Sequence, residues 1–177
     1  MAYWAKAQDE GFLMAADGEE GRTYDEIGDP VFSPDGEHLA YVARDEEGKF
    51  VVLDGAEGKR YIEVWGLAFS VDGRLAYVAR ESRDGKEVQL VVVDGQEERP
   101  YHYDWYGQGI RSGPVYSPGG GHVVYVANDA GRAEFLVIDG VRHLHPWTFL
   151  GGNGWGEGSP IIFDSEEYFH YLAFNDT

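Results

Sequence analysis

Val31-Phe32-Ser33-Pro34-Asp35-Gly36-Glu37-His38-Leu39-Ala40-Tyr41-Val42-Ala43 is the stretch that decides the fold. A short apolar run enters a Ser-Pro-Asp-Gly turn, and a longer apolar run leaves it. Gly and Asp supply the backbone conformations such a turn needs. The pattern returns as Ala68-Phe69-Ser70-Val71-Asp72-Gly73-Arg74-Leu75-Ala76-Tyr77-Val78-Ala79. It returns again as Val115-Tyr116-Ser117-Pro118-Gly119-Gly120-Gly121-His122-Val123-Val124-Tyr125-Val126-Ala127. A worn copy, Ile161-Ile162-Phe163-Asp164-Ser165-Glu166, leads into Tyr171-Leu172-Ala173-Phe174.

Two landmarks keep one order through these copies. The aromatic before the turn is Phe32, Phe69, Tyr116 and Phe163, at steps of 37, 47 and 47 residues. An Asp-Gly pair closes a second apolar run at Asp17-Gly18, Asp54-Gly55, Asp94-Gly95 and Asp139-Gly140, at steps of 37, 40 and 45 residues. Fixed periods of this size mark a repeat architecture. Each unit reads as four short strands. In the first complete one these are the run ending in Phe32, Leu39-Ala40-Tyr41-Val42-Ala43, Phe50-Val51-Val52-Leu53 and Arg60-Tyr61-Ile62-Glu63-Val64-Trp65. The runs are too short for helices, and they are rich in β-branched and aromatic residues. The second and third strands are apolar at consecutive positions, whereas a strand with one face in water alternates. Both faces are therefore expected to be buried, with the four landmark aromatics in matching buried positions.

The Ser-Pro-Asp-Gly-x-x-Leu-Ala-Tyr pattern at residues 33–41 resembles the blade signature of TolB-like, WD-repeat-like β-propellers. The copy at 70–77 keeps Asp-Gly with Val71 in place of Pro, and the copy at 117–125 keeps Ser-Pro with Gly119 in place of Asp. The resemblance implies an all-β fold, a small propeller of about four four-stranded antiparallel blades. It is specific for fold and nearly silent on activity. The expected organisation is one domain over 1–177, with a partial blade at 1–28, blades at 29–66, 67–107 and 108–158, and a partial blade at 159–177. The N-terminal piece reads as strands two, three and four, and the C-terminal piece as strands one and two. Joined, they complete one blade with a second strand to spare, within the chain or between two chains of a homodimer. Unpaired apolar edges aggregate, which is the reason to expect closure.

Of 177 residues, 43% are apolar and 15% aromatic, which suits one domain with a real core rather than disorder. There is no cysteine, so disulfides and thiolate metal sites are excluded. Fourteen basic residues against 32 acidic ones give a formal charge of −18. Such a chain repels a phosphate backbone and an anionic membrane, so neither nucleic acid nor membrane is expected as a partner. High charge serves solubility, and with only four lysines it also fits adaptation to high salt. No run is long enough to span a bilayer, and the first residues lack a signal-peptide pattern, so the expectation is a soluble chain.

In a four-stranded meander the connections after strands two and four share one rim. Those after strand four grow along the chain, from Gly28-Asp29 to residues 107–113 and then to residues 151–158. Long loops on a rigid frame are where function concentrates. The expected ligand-binding residues on this rim are Trp105, Tyr106, Arg111, Asn153 and Trp155, an aromatic and Gly-rich set suited to a peptide, protein or carbohydrate ligand. Trp65, Tyr101 and Trp147 are expected to pack between blades instead. His102, His143 and His145 form the one grouping that resembles a metal site, but no carboxylate is tied to it by spacing. Gly-x-Ser-x-Gly is absent, and no glycine run follows a strand into a helix. No catalytic residue, metal or cofactor is expected. The favoured reading is a non-catalytic binding or assembly module. One alternative is a glycan-active enzyme using rim carboxylates such as Asp104 and Glu157. Another is a structural or engineered repeat protein that self-assembles through its ends.

Overall fold

The computed structural model describes residues 2–6, 11–16, 18–104, 109–128, 134–144, 148–149, 161–166, 168–171 and 173–174. All of its regular elements are strands, and every pair is antiparallel. No helix long and apolar enough to cross a membrane occurs among the described residues.

The strands fall into successive sheets along the chain. The first holds Ala2–Lys6, Phe12–Ala16 and Glu19–Tyr24 in that order. In the second, Glu26–Ile27 and Val31–Phe32 both pair with Leu39–Asp45, followed by Gly48–Leu53 and Ala56–Glu57. The third runs through Glu63–Phe69, Leu75–Arg83 and Lys86–Val93, with Gln96–Glu97 and Tyr101–His102 both on the last. The fourth sets Gly109–Ile110 and Val115–Tyr116 on Val123–Asn128, then Glu134–Ile138 and Val141–Leu144. The start of a fifth is described as two separate two-stranded sheets, Ile161–Phe163 with Phe169–Tyr171 and Thr148–Phe149 with Ala173–Phe174. Three complete four-stranded blades and two partial ones make a small β-propeller.

The consecutive apolar positions are explained by what lies on each face. Tyr41, Ala43, Phe50 and Val52 pack with Met14 and Tyr24 of the first sheet. Their neighbours Ala40 and Val51 turn the other way, onto Val64, Leu75, Tyr77 and Leu90 of the third. Val78, Val91 and Tyr101 meet Tyr125, Phe135 and Val137 of the fourth, whose opposite face, Val124, Val126 and Leu136, receives Ile161. The core is thus a series of layers between blades. Phe50 and Phe135 are fully buried, and each such ring contributes about 2–3 kcal/mol. Trp65 and Tyr101 belong to these layers, as expected for interblade aromatics.

The two sequence landmarks are bonded to each other. The Ser33 Oγ donates to Asp35 Oδ1 at 2.5 Å and accepts the His38 N–H at 2.9 Å, which closes the turn. The Asp54 carboxylate then accepts the Leu39 N–H at 2.9 Å and pairs with His38 Nδ1 at 2.7 Å. Asp94 clasps Leu75 and Arg74 in the same way, and Asp139 clasps Val123 and His122. Each of these aspartates has a positive φ near 50° and is followed by a positive-φ glycine. That is the two-residue hairpin for which Asp-Gly is the favoured pair.

Two expectations are corrected here. Phe32 pairs with Leu39 as Phe69 pairs with Leu75 and Tyr116 with Val123, yet Phe32 is 45% exposed while Tyr116 is buried. Position alone does not bury the ring. Phe69 stacks on His38 and Tyr116 lies beneath Arg74, and among the described residues no such group covers Phe32. The stretch read as one strand at residues 60–65 is divided instead. Tyr61 bridges back to Lys49 in the second blade, and Glu63–Phe69 opens the third. That opening strand is continuous because Leu67 stands where Pro30 and Pro114 interrupt the second and fourth blades, since Pro has no N–H to give the ladder. The first and fifth sheets pair only within themselves among the described residues, so closure of one blade by both ends is not made there within the chain.

Candidate functional site

The rim expected to carry a ligand includes residues 105–108 and 151–158, so Trp105, Tyr106, Asn153 and Trp155 lie outside the described residues, as do Trp147, His145 and Glu157. What the structure describes is the frame on which residues 105–108 are mounted. On the approach, Tyr101 and His102 pair with Gln89 and Val88 of the third blade. The Tyr103 N–H then donates to Glu87 O at 3.0 Å, and the Arg80 guanidinium lies 5.0 Å from the Tyr103 ring.

On the exit, Gly109 and Ile110 are strand residues rather than loop residues. They pair with Asn128 and Ala127 of the fourth blade. Two amide side chains hold them. The Gly109 N–H donates to Asn128 Oδ1 at 2.7 Å, and the Ile110 N–H donates to Gln89 Oε1 at 2.7 Å. Both amides are buried, Gln89 in the third blade and Asn128 in the fourth. Gly109 has φ +114°, and a Cβ there would meet the Gln89 carbonyl oxygen. Only glycine fits this conformation at this approach. Gly109 and Ile110, which follow the segment carrying Trp105 and Tyr106, are therefore held by side chains of two blades at once.

Arg111 is described, and it does not stand on a free loop. Its N–H donates to Val126 O at 2.8 Å, within the interrupted first strand of the fourth blade. Its guanidinium faces Glu134, with Nε 3.5 Å from Oε1. The sequence reading took residues 107–113 as one long connection, and the pairing of Gly109 and Ile110 shortens it. Gln89 and Asn128 were missed. The signal for Gln89 is a polar residue inside an otherwise apolar run, Val88-Gln89-Leu90-Val91, whereas Asn128 stands at the polar end of its run, before Asp129, and carries no such signal. Asp104 is half-buried. His102 and His143 are exposed, and no cluster of three metal-ligating side chains occurs among the described residues.

The same rim opens between the second and third blades into a groove of 850 Å³ lined by Asp45, Lys49, Arg60, Tyr61, Glu63 and Glu81 among others. Several of its charges are paired. Arg60 Nη2 holds Asp45 Oδ2 and Glu57 Oε2, each at 2.7 Å, and Lys49 Nζ holds Glu63 Oε2 at 2.8 Å. The Arg60 hydrogen bond draws the Asp45 carboxyl below its usual range. Elsewhere, burial pushes the Glu98 carboxyl up despite its hydrogen bond from Tyr125 Oη at 2.6 Å. Arg60 thus ties together the end of the second blade, while Lys49–Glu63 and Tyr125–Glu98 join neighbouring blades.

Fold and frame together define a small β-propeller in which Gly109 and Ile110 are braced by side-chain amides of two adjacent blades. Neither a family model nor a curated protein sequence matches this chain. Among solved structures, the crystal structure of TolB from Acinetobacter baumannii is similar at 15% identity and a TM-score of 0.47, over 99% of this chain and 51% of that one. The chain spans about half the length of that protein.

Proposed function

We propose that this chain is a non-catalytic binding module that takes a peptide or carbohydrate on the rim of Trp105, Tyr106, Arg111, Asn153 and Trp155. The observation that supports it is the double anchorage, by Gln89 and Asn128, of Gly109 and Ile110, which directly follow residues 105–108. A connection that needed only to join two strands has no use for two buried amides. A connection that presents aromatic rings to a ligand gains from fixed ends, because ordering it beforehand lowers the cost of binding. The opposite rim is committed to the Asp54, Asp94 and Asp139 clasps. The test is a binding screen of the full chain against immobilised peptides and oligosaccharides, followed by Trp105→Ala and Trp155→Ala. Each variant is expected to lose the ligand at an unchanged melting temperature. Unchanged binding in both, or destabilisation as large as that of Tyr41→Ala, overturns the reading.

Assembly through the chain ends is a second reading, favoured by one edge. Among the described residues, Ala2–Lys6 pairs on one side only, with Phe12–Ala16, and Tyr3 and Trp4 on it are 60% and 50% exposed. An uncovered edge of this kind takes up another strand. Pairing it with the surplus C-terminal strand of a second copy would make the same contact twice under two-fold symmetry. Sedimentation of the full chain should show a dimer, lost when residues 159–177 are deleted. A monomeric full chain, or a dimer that survives the deletion, sinks this reading and leaves the first untouched.

A further inference from the structure

The ring that ends the first strand of a blade leans on the turn of the blade before it. Phe69 stacks on His38, with ring centroids 6.4 Å apart and planes 17° from parallel. Tyr116 lies beneath the Arg74 guanidinium at 5.6 Å. His38 and Arg74 hold one position, the last residue of the turn, because their carbonyls accept the N–H of the turn serines, Ser33 and Ser70. The hairpin end of the preceding blade adds a second wall. Leu53 belongs to the apolar cluster of Phe69, and Val93 to that of Tyr116.

The same position on the second blade is open. Phe32 is 45% exposed. Leu53 pairs with Ala40 and Ala56, and Val93 with Ala76 and Gln96. In that register the first sheet has Ala16, paired with Ala2 and Glu19. This small side chain borders a notch of 350 Å³ whose apolar lining includes Phe32, Met14 and Leu39. Glu19, Glu20 and Glu37 also line it. All three are exposed and form no ion pair among the described residues. The one basic residue among those lining it, His38, is already bonded to Asp54 at 2.7 Å.

We propose that this notch is a docking site for an arginine side chain carried by a peptide or protein partner. Arginine joins an apolar stem to a planar charged head. The stem covers Met14, Ala16 and Leu39. The head lies over Phe32 as Arg74 lies over Tyr116, and its N–H groups donate to Glu19 and Glu37. Lysine brings the same charge without the plane, so it gains the acidic rim and forfeits the stacking. The formal charge of −18 draws basic segments towards the chain as a whole, and the exposed ring selects among them. The notch lies beside the Asp54 clasp and depends neither on the rim of Trp105 and Trp155 nor on assembly through the chain ends.

Heteronuclear NMR titration of the full chain with two acetylated and amidated peptides of equal charge, Ala-Arg-Ala and Ala-Lys-Ala, tests this. The arginine peptide is expected to bind saturably and to shift the amides of Ala16, Phe32 and Leu39. It should bind about threefold or more tighter than the lysine peptide, the effect of one exposed contact between a cation and a ring. Phe32→Ala should remove that preference. Glu19→Gln combined with Glu37→Gln should weaken both peptides. Glu47→Gln, which changes an acid of the groove between the second and third blades, should weaken neither. If the Phe32→Ala variant does not fold, the two peptides and the glutamate variants decide. The proposal is overturned by no saturable shift with the arginine peptide, by equal affinity for both peptides, or by a preference that survives in a folded Phe32→Ala variant. Equal losses from Glu47→Gln and from the notch acids would mark a diffuse surface charge and overturn it too. So would sedimentation showing a parent dimer that Phe32→Ala dissociates, which would put a second copy in the notch.

Discussion

The Glu166 carboxylate is seated on the turn of Ser117, in the blade before its own. Oε1 accepts Ser117 Oγ at 2.6 Å and the Gly121 N–H at 3.0 Å, and Oε2 accepts the Gly119 N–H. In the second and third blades the same serine position bonds an aspartate of its own turn, Asp35 for Ser33 and Asp72 for Ser70, each at 2.5 Å. Gly119 stands where those aspartates stand, and Glu166 stands three residues after Phe163 as Asp35 stands three after Phe32. The missing acid of one turn is thus supplied by the longer acid of the next, and a local bond becomes a bond between blades.

This exchange predicts a reversal of sign. Gly119→Asp alone restores the turn's own acid, but a Cβ at this position would meet the Glu166 carboxylate, and two acids then compete for one set of donors. It should lower the melting temperature. In a Glu166→Ala background the same Gly119→Asp change should raise it. A thermal double-mutant cycle reads the coupling, and additive effects would show that the two residues act independently.

The same contact sets the behaviour in acid. The Ser117 hydrogen bond, aided by the Gly119 and Gly121 amides, draws the Glu166 carboxyl below its ordinary value of 4.5. A folded-state value below the unfolded one stabilises the fold above pH 4.5, and that contribution is lost as pH falls through the depressed value. Amide exchange of residues 161–166 should therefore stay slow down to pH 4.5 and accelerate below it. In Glu166→Gln the acceleration should no longer track that titration. An identical acid profile in both proteins would remove Glu166 as the cause.

His38 gives the opposite sign. Its hydrogen bond to Asp54 pushes the imidazole above 6.5. A raised folded value means the clasp contributes fully below pH 6.5 and loses that contribution as pH rises through the folded value. Proton NMR should show His38 titrating above 6.5, and Asp54→Asn should bring it down. A midpoint unmoved by Asp54→Asn would show that the clasp is not closed in solution.

What the sequence disclosed and what it hid divide along a physical line. Ser33-Pro34-Asp35-Gly36 and Asp54-Gly55 act through their own backbone, so turn and hairpin are legible locally, and with them the repeat. The two-faced burial of Tyr41 and Phe50 follows from consecutive apolar positions. The exposure of Phe32 depends on what the neighbouring sheet places over it, and a landmark position does not carry that information. Arg111 and its neighbours read as loop because glycine and serine surround them, although Gly109 and Ile110 are bonded to Asn128 and Gln89. The Glu166 exchange was written as two departures from one pattern, Gly119 and Glu166, in separate repeats. Each is uninformative alone.

The uneven burial of Phe50 and Phe32 within one blade predicts uneven costs. Phe50→Ala empties a fully buried site between the first two sheets and should cost about 3–5 kcal/mol. Phe32→Ala removes a ring that is 45% exposed and should cost about 1 kcal/mol or less, as fits a site away from the packed core. Chemical denaturation of both variants measures the difference. Similar costs would mean that Phe32 is covered in solution by a part of the chain or a partner that the described residues do not include.

Gln89 offers a test of the frame that leaves the rim residues in place. Its Oε1 accepts the Ile110 N–H from inside the third blade, and the side chain is 6% exposed. Gln89→Ala leaves that amide buried without an acceptor, at a cost of about 1–3 kcal/mol. The effect should be local first. The Ile110 amide should exchange slowly in the parent and fast in the variant, while the amides of Phe50 and Val52 should be equally protected in both. Gly109→Ala should disturb the same place from the other partner, because it adds a Cβ against Gln89 at φ +114°. In a Gln89→Ala background the collision is removed and the left-handed strain remains. The combined cost should therefore fall short of the sum of the two single costs. If residues 105–108 present the ligand-binding rings, Gln89→Ala should also weaken binding without touching the ligand, by letting the segment move. A Gln89→Ala variant that exchanges Ile110 as slowly as the parent would show that the amide does not pin the segment, and the support for a preformed rim would go with it.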